Sequence, residues 1–217
     1  MREKLYNVAA IFGIVERKPV KPKRKTWPPP ALPHHPWLCL VVGRRGYGKS
    51  YYAKQVLRTW GEGGTTFAVD PVTPDPPPPD YPAHWATMWA PVAPAELPAG
   101  VSLVVVDEAD RFLPTAQGKR DGLLEDLVLR GRHRGTSLLL CTQRPALVGY
   151  DVRSQANRIV VFRLTAEEDL KAIVSVCPEL RGREDEIRSL PVGRALVWDD
   201  KNGVWPENKV DNRQPEE

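Results

Sequence analysis

Residues 37–54 constrain this chain more than any other stretch. They read Trp-Leu-Cys-Leu-Val-Val-Gly-Arg-Arg-Gly-Tyr-Gly-Lys-Ser-Tyr-Tyr-Ala-Lys, and the eight from Gly43 to Ser50 fit the pattern G-x-x-x-x-G-K-[ST]. The apolar run Leu38 to Val42 predicts a buried strand leading into the glycine loop. Tyr52, Ala53, Val56, Leu57 and Trp60 then recur at helical spacing. Strand, glycine loop and helix are the context this pattern requires. Gly43, Gly46 and Gly48 let the backbone turn tightly and aim N–H groups at a polyphosphate. The helix N-terminus adds partial positive charge. Lys49 is expected to reach the terminal phosphates, and the Ser50 hydroxyl to ligate Mg²⁺ beside bound ATP. The candidate nucleotide-binding set is therefore Gly43, Arg44, Arg45, Gly46, Tyr47, Gly48, Lys49, Ser50 and Tyr51.

A second stretch, Val101 to Val106 followed by Asp107 and Glu108, is an apolar run ending in an acidic pair. That is the form of a buried parallel strand with carboxylates at its C-terminal edge, where ligands bind in α/β sheets. Asp107 is expected to hold Mg²⁺ directly or through water, and Glu108 to orient or deprotonate the attacking water. The letters Asp107 to Asp110 also spell a helicase box. The chain of 217 residues is too short for a second helicase domain, so Asp110 is given no role. Downstream, Leu123, Leu124, Leu127 and Val128 predict a packed helix running into Arg130-Gly-Arg-His-Arg-Gly135. Ser137 to Thr142 predicts another buried strand, ending at Gln143, a candidate phosphate or water sensor if that strand lies beside the first one. An arginine just before that strand lies where it can reach a neighbouring subunit's nucleotide. Asn157 to Arg163 reads as a further strand, and Thr165 to Glu168 as a capping box opening a helix that faces Leu170, Ile173 and Val174 inward. A short helix over 184–190 and a last strand ending at Trp198 complete an α/β pattern.

Charge is unevenly placed. Eight Lys/Arg against two Glu give residues 1–36 a net +6, so a chain of net +4 leaves −2 on the remainder. A basic, proline-rich arm on a near-neutral body suits an anionic partner. Residues 37–198 are read as the catalytic domain, with a proline-rich surface insertion at 71–99, and 199–217 as a polar tail. Tyr6 to Val15 reads as a strand or small hairpin, and Trp85 and Trp89 as cover for local core. Three cysteines make no disulfide framework, and Cys39 and Cys141 lie in apolar runs, as buried thiols of a reducing compartment do. No apolar run approaches the roughly 20 residues a membrane helix needs. The N-terminus lacks a cleavable signal pattern, so the chain is not expected to be secreted. No His/Cys cluster has metal-ligand spacing.

Five landmarks occur in order: the glycine loop, the strand ending Asp107-Glu108, the Gly-Arg-His-Arg-Gly segment, Thr142-Gln-Arg-Pro145, and Asn157 to Phe162 before an acidic helix start. Together they resemble the FtsK–HerA superfamily of P-loop motor ATPases over roughly residues 37–198. The resemblance implies a RecA-like P-loop NTPase of the ASCE type, with a mainly parallel central sheet flanked by helices. It implies ATP and Mg²⁺ as cofactors and a homo-oligomeric ring, often a hexamer, around double-stranded DNA. On that alignment Arg132 takes the place of the arginine finger acting in trans, with Arg134 or Arg130 substituting if the register differs, and Gln143 that of the sensor. Catalysis then falls to Glu108, Lys49, Arg132 and Gln143, and metal ligation to Ser50 and Asp107.

The compact size is similar to genome-packaging ATPases of icosahedral viruses with an internal membrane and, less closely, to assembly ATPases of filamentous phages. That likeness implies a DNA translocase filling a preformed capsid, with capsid, portal-vertex and internal viral membrane proteins as partners. Its place is then the packaging vertex of the virion or the host cytoplasm. The competing expectation is a nucleotide-switched assembly or scaffolding ATPase that does not move DNA. A small-molecule phosphotransferase needs neither Glu108 nor the Thr-Gln-Arg-Pro strand end.

Overall fold

The computed structural model describes residues 15–16, 36–60, 64–71, 86–115, 119–200 and 203–206. Its strands are β1 (Val15–Glu16), β2 (Leu38–Val42), β3 (Thr65–Val69), β4 (Met88–Ala90), β5 (Val101–Val106), β6 (Ser137–Thr142), β7 (Arg158–Val161), β8 (Leu196–Asp199) and β9 (Gly203–Pro206). The α-helices are α1 (Lys49–Trp60), α2 (Gly122–Arg134), α3 (Tyr150–Ser154), α4 (Glu167–Val174) and α5 (Glu184–Ser189).

The central strands read as unbroken apolar runs because both their faces are covered. In β2, Leu38, Leu40 and Val42 face one cluster and Cys39 and Val41 the other. All five are buried. On the second face lie Tyr52, Ala53, Val56 and Leu57 of α1; on the first lie Leu124 and Leu127 of α2 and Leu170 and Ile173 of α4. Each such aliphatic side chain contributes about 1.5–3 kcal/mol on burial, so this two-sided sandwich fixes which edge of the sheet the loops emerge from.

One sheet contains nine strands among the described residues, in the order β1-β4-β3-β5-β6-β2-β7-β8-β9. The six from β4 to β7 are mutually parallel; β1 joins one side and β8 and β9 the other, antiparallel. The fold is the mainly parallel α/β sheet of a P-loop NTPase. Strand β6 lies between β2 and β5, with Leu140 opposite both Leu40 and Val106. The glycine loop, the acidic pair and Gln143 therefore all leave the same C-terminal edge.

Three sequence expectations need correction, while the strand expected to end at Val15 is met at Val15–Glu16. Part of the segment read as a surface insertion is sheet: Met88–Ala90 pairs with β3, and Trp89 is buried in the core. Trp85 lies outside the described residues. The arm meets the same edge, since Val15–Glu16 pairs with Trp89 and Met88; the rest of residues 1–35 falls outside the described part. The tail boundary moves outward, because Asp199 belongs to β8 and Gly203–Pro206 pairs with it as β9. The capping box at Thr165 does not form: α4 starts at Glu167 with Ala166 in the cap position and no side-chain cap. Cys39, Cys141 and Cys177 are buried thiols and form no disulfide. Among the described residues no helix is long and apolar enough to cross a membrane.

Candidate active site

The loop after β2 is held on both sides by backbone. Gly43 N–H donates to the Thr142 carbonyl (3.3 Å) and Arg44 N–H to the Arg163 carbonyl (2.9 Å). Gly43 and Gly48 adopt φ of +148° and +118°. A Cβ on Gly43 would lie 2.5 Å from the Phe162 Cβ, and one on Gly48 2.8 Å from the Phe162 ring. Phe162, fully buried, is thus the floor on which the loop sits, and glycine is needed at both positions for space as well as conformation. Tyr47 is tied down too. Arg163 Nη1 donates to its hydroxyl (3.1 Å), the guanidinium lies 5.6 Å from its ring centre, and Gly193 N–H donates to its carbonyl. Sequence reading missed Phe162 and Arg163 as loop supports, because they directly follow β7, more than a hundred residues away.

Lys49 opens α1 and is buried, its ammonium donating to the carbonyls of Gly43 (2.7 Å) and Arg44 (3.1 Å). Burial lowers its pKa below the usual lysine range, while Cys141, Asp107, Asp110 and Glu108 draw it back up. The acidic residues therefore face the loop lysine across the strand edge, as a site for a polyphosphate and a divalent cation requires. Arg44, Arg45, Gly46 and Ser50 are exposed; Tyr47, Gly48 and Tyr51 are half-buried. Burial raises the Cys141 thiol well above its ordinary pKa.

Asp107 leaves β5 with its N–H on the Val69 carbonyl (2.9 Å), and its Oδ1 accepts from Glu108 N–H (2.9 Å). Glu108 takes a left-handed conformation (φ 49°, ψ 50°), alone among the described non-glycine residues. Such a backbone costs about 1–3 kcal/mol and clusters at active sites. It turns the chain into a 3₁₀ turn over Ala109–Arg111, and Arg111 forms an ion pair with the Glu108 carboxylate at 2.5 Å. At the end of β6, Thr142 pairs with Val42, which sets Gln143, half-buried, level with Gly43. The loop beyond Gln143 is braced. Arg153 Nη1 donates to the carbonyls of Pro145 (2.7 Å) and Val148 (2.5 Å), and buried Asp169 accepts from Ala146 N–H and Arg144 Nε (3.1 Å each).

Arg132 does not join this group. It occupies the last turn of α2, capped by left-handed Gly135, and α2 feeds the start of β6 rather than its end. The six residues of β6 put it roughly 20 Å from the loop edge at about 3.3 Å per residue. It is exposed and makes no ion pair among the described residues, whereas Arg130 and Arg134 both pair with Asp126. A groove of about 490 Å³ opens at this opposite edge, lined by Trp37, Leu127, Arg132, Asn157, Trp198 and Asp200 among others.

For Mg²⁺, no group of three or more His, Cys, Asp or Glu among the described residues forms a cage. Exposed Ser50 and acidic Asp107 fit the sparse protein ligation of an ion held mainly by nucleotide phosphates. The glycine loop, buried lysine, acidic strand end and polar Gln143 at the end of the intervening strand together define a P-loop NTPase site.

Comparison with known proteins agrees with that class. No protein-family model matches the sequence. The chain is 33% identical over 99 residues to the "Probable DNA double-strand break repair helicase HerA" of Methanocaldococcus jannaschii, a match spanning 44% of this chain and only 19% of that protein. Its structure is similar to B204, the DNA-packaging ATPase of Sulfolobus turreted icosahedral virus, with TM-score 0.64, 16% identity, and 81% and 99% of the two chains covered. B204 of Sulfolobus turreted icosahedral virus 2 in complex with ATP-gammaS gives TM-score 0.63 at 16% identity over 80% and 98%. The cytoplasmic domain of the type VII secretion ATPase EccC of Thermomonospora curvata gives 0.53 at 14% identity over 80% and 24%.

Proposed function

We propose that this chain is an ATP-hydrolysing motor of the FtsK–HerA superfamily that drives double-stranded DNA into a preformed viral capsid. The observation that carries the ATPase reading is the strand order: β6 brings Gln143 between the Lys49 loop and the Asp107–Glu108 strand end. The loop amides and Lys49 bind the phosphates of ATP, and Ser50 and Asp107 hold Mg²⁺. The ion neutralises charge on the transferred phosphoryl group when bound. Glu108 accepts the proton of the attacking water, and Gln143 orients that water. The size match to B204 at 98–99% of its length supports the packaging role.

Arg132 sits at the edge opposite its own loop, so the same chain cannot supply it to that loop's site. This supports a ring, a hexamer on the family pattern, in which each Arg132 completes a neighbour's site. Movement along DNA then needs basic groups against phosphates and little base reading. Capsid or portal-vertex proteins and internal viral membrane proteins complete the proposed surroundings, at the packaging vertex or in the host cytoplasm before assembly.

The ATPase reading is tested with Lys49→Ala. Removing a buried ammonium that faces the acidic strand end is expected to abolish ATP binding and turnover, read by fluorescent-nucleotide titration and phosphate release. Undiminished hydrolysis by this variant contradicts the assignment.

A further inference from the structure

The sequence leaves Asp110 without a role, and the structure gives it a partner. Thr142 Oγ1 lies 2.6 Å from Asp110 Oδ1 and 3.0 Å from Arg144 N. An amide N–H can only donate, so the Thr142 hydroxyl accepts from Arg144 and its own proton points at the Asp110 carboxylate. The short distance fits a charge-assisted bond. Thr142 is buried at 1% exposure, so no water shares the hydroxyl cheaply. The Arg144 N–H belongs to the peptide that joins Gln143 to Arg144. The hydroxyl therefore fixes the plane from which the Gln143 side chain departs. On the other side, Asp110 lies in the 3₁₀ turn closed by Arg111 N–H on the Glu108 carbonyl (2.9 Å). One hydroxyl thus ties the segment carrying Glu108 to the segment carrying Gln143, across 32 residues of sequence.

We infer that Asp110 and Thr142 form a latch that sets Glu108 and Gln143 at a fixed separation, making both positioning residues for the hydrolytic step. This inference rests on the ATPase reading above. None of these bonds is made to a loop amide or to the Lys49 ammonium, so losing the Thr142 hydroxyl acts on turnover and leaves nucleotide affinity alone, whereas Asp110 variants also remove a charge that acts on Lys49. Arg144 reaches the other way, to Asp169 of α4, which holds the far side of the same loop still while the latch acts.

The test compares Thr142→Val, Asp110→Ala, the double variant, Thr142→Ser and Asp110→Asn with the unaltered chain and with Lys49→Ala. A misplacement of this kind lowers kcat by about ten- to a hundredfold. In the Thr142 variants the KM for ATP and the binding of a fluorescent ATP analogue stay within about threefold, because the phosphate contacts are untouched. The double variant is expected to be no slower than either single one, since both break the same bond. Thr142→Ser and Asp110→Asn keep a donor and an acceptor and recover most of the rate. Should Thr142→Val melt early, half-exposed Asp110→Ala is compared with Asp110→Asn, which lacks the same charge but keeps the acceptor. Losses that multiply in the double variant, a raised KM with kcat kept, or no recovery by Thr142→Ser overturn the latch while leaving the ATPase reading intact. Absence of any Lys49-dependent hydrolysis in the unaltered chain overturns the ATPase reading and the latch with it.

Discussion

Glu108→Gln is expected to bind ATP as the unaltered chain does and to turn it over about a hundred- to ten-thousandfold more slowly. The substitution keeps the size of the side chain and its place at the left-handed residue after β5. It removes the negative charge and with it the capacity to accept a proton. The phosphate-binding half of the site, Gly43 to Ser50 with Lys49 on the Gly43 and Arg44 carbonyls, is untouched, so affinity is the internal control. The Glu108–Arg111 ion pair is lost as well. Arg111 is 58% exposed, and exposed pairs contribute about 0–1 kcal/mol, too little to account for a loss of this size. Phosphate release at saturating ATP, beside a binding titration, checks the outcome. Normal turnover by Glu108→Gln removes Glu108 from the reaction.

Arg132→Ala is expected to cost about a thousand- to a hundred-thousandfold in turnover, the range for an arginine that neutralises charge on the transferred phosphoryl group. It should leave the fold intact, because Arg132 is exposed and forms no ion pair among the described residues. Arg130→Ala and Arg134→Ala should cost far less, since both guanidinium groups are engaged with Asp126. The proposed arrangement in trans has a sharper consequence. Mixing Arg132→Ala subunits with Glu108→Gln subunits creates some interfaces that combine an intact Arg132 with an intact Glu108. Activity should therefore return as the two inactive variants are mixed, peaking at an intermediate ratio. No recovery at any ratio argues against a finger supplied by a neighbour.

Much of the site could be read in the sequence because its chemistry is local. A phosphate loop needs its glycines, lysine and hydroxyl within eight residues, and an acidic strand end needs its carboxylates directly after an apolar run. The strands flanking them, buried on both faces, announce themselves as unbroken apolar stretches, so β2, β5, β6 and β7 lie where the pattern puts them. What escaped was set by contacts distant in sequence. Met88–Ala90 is three residues long in proline-rich surroundings, too short for any periodicity, and is a strand because β3 offers an open edge. Gly203–Pro206 is extended by pairing with β8, in a segment whose polarity reads as tail. Thr165 fits a capping pattern, yet the chain enters α4 one residue later, where Ala166 holds the cap position. Phe162 and Arg163 support the glycine loop from just after another strand, and Asp110 finds its hydroxyl partner on β6. No local signal marks these, because side-chain identity alone does not say which strands will be neighbours.

The measurement that bears most directly on the proposed motor is steady-state ATP hydrolysis with and without duplex DNA, across a salt series. A ring that grips phosphates should show Lys49-dependent hydrolysis that rises on adding DNA. That stimulation should fall steeply between about 50 mM and 200 mM salt as counterions compete for the backbone. Hydrolysis indifferent to DNA at every salt concentration would contradict translocation and point instead to an ATPase that uses nucleotide as an assembly switch.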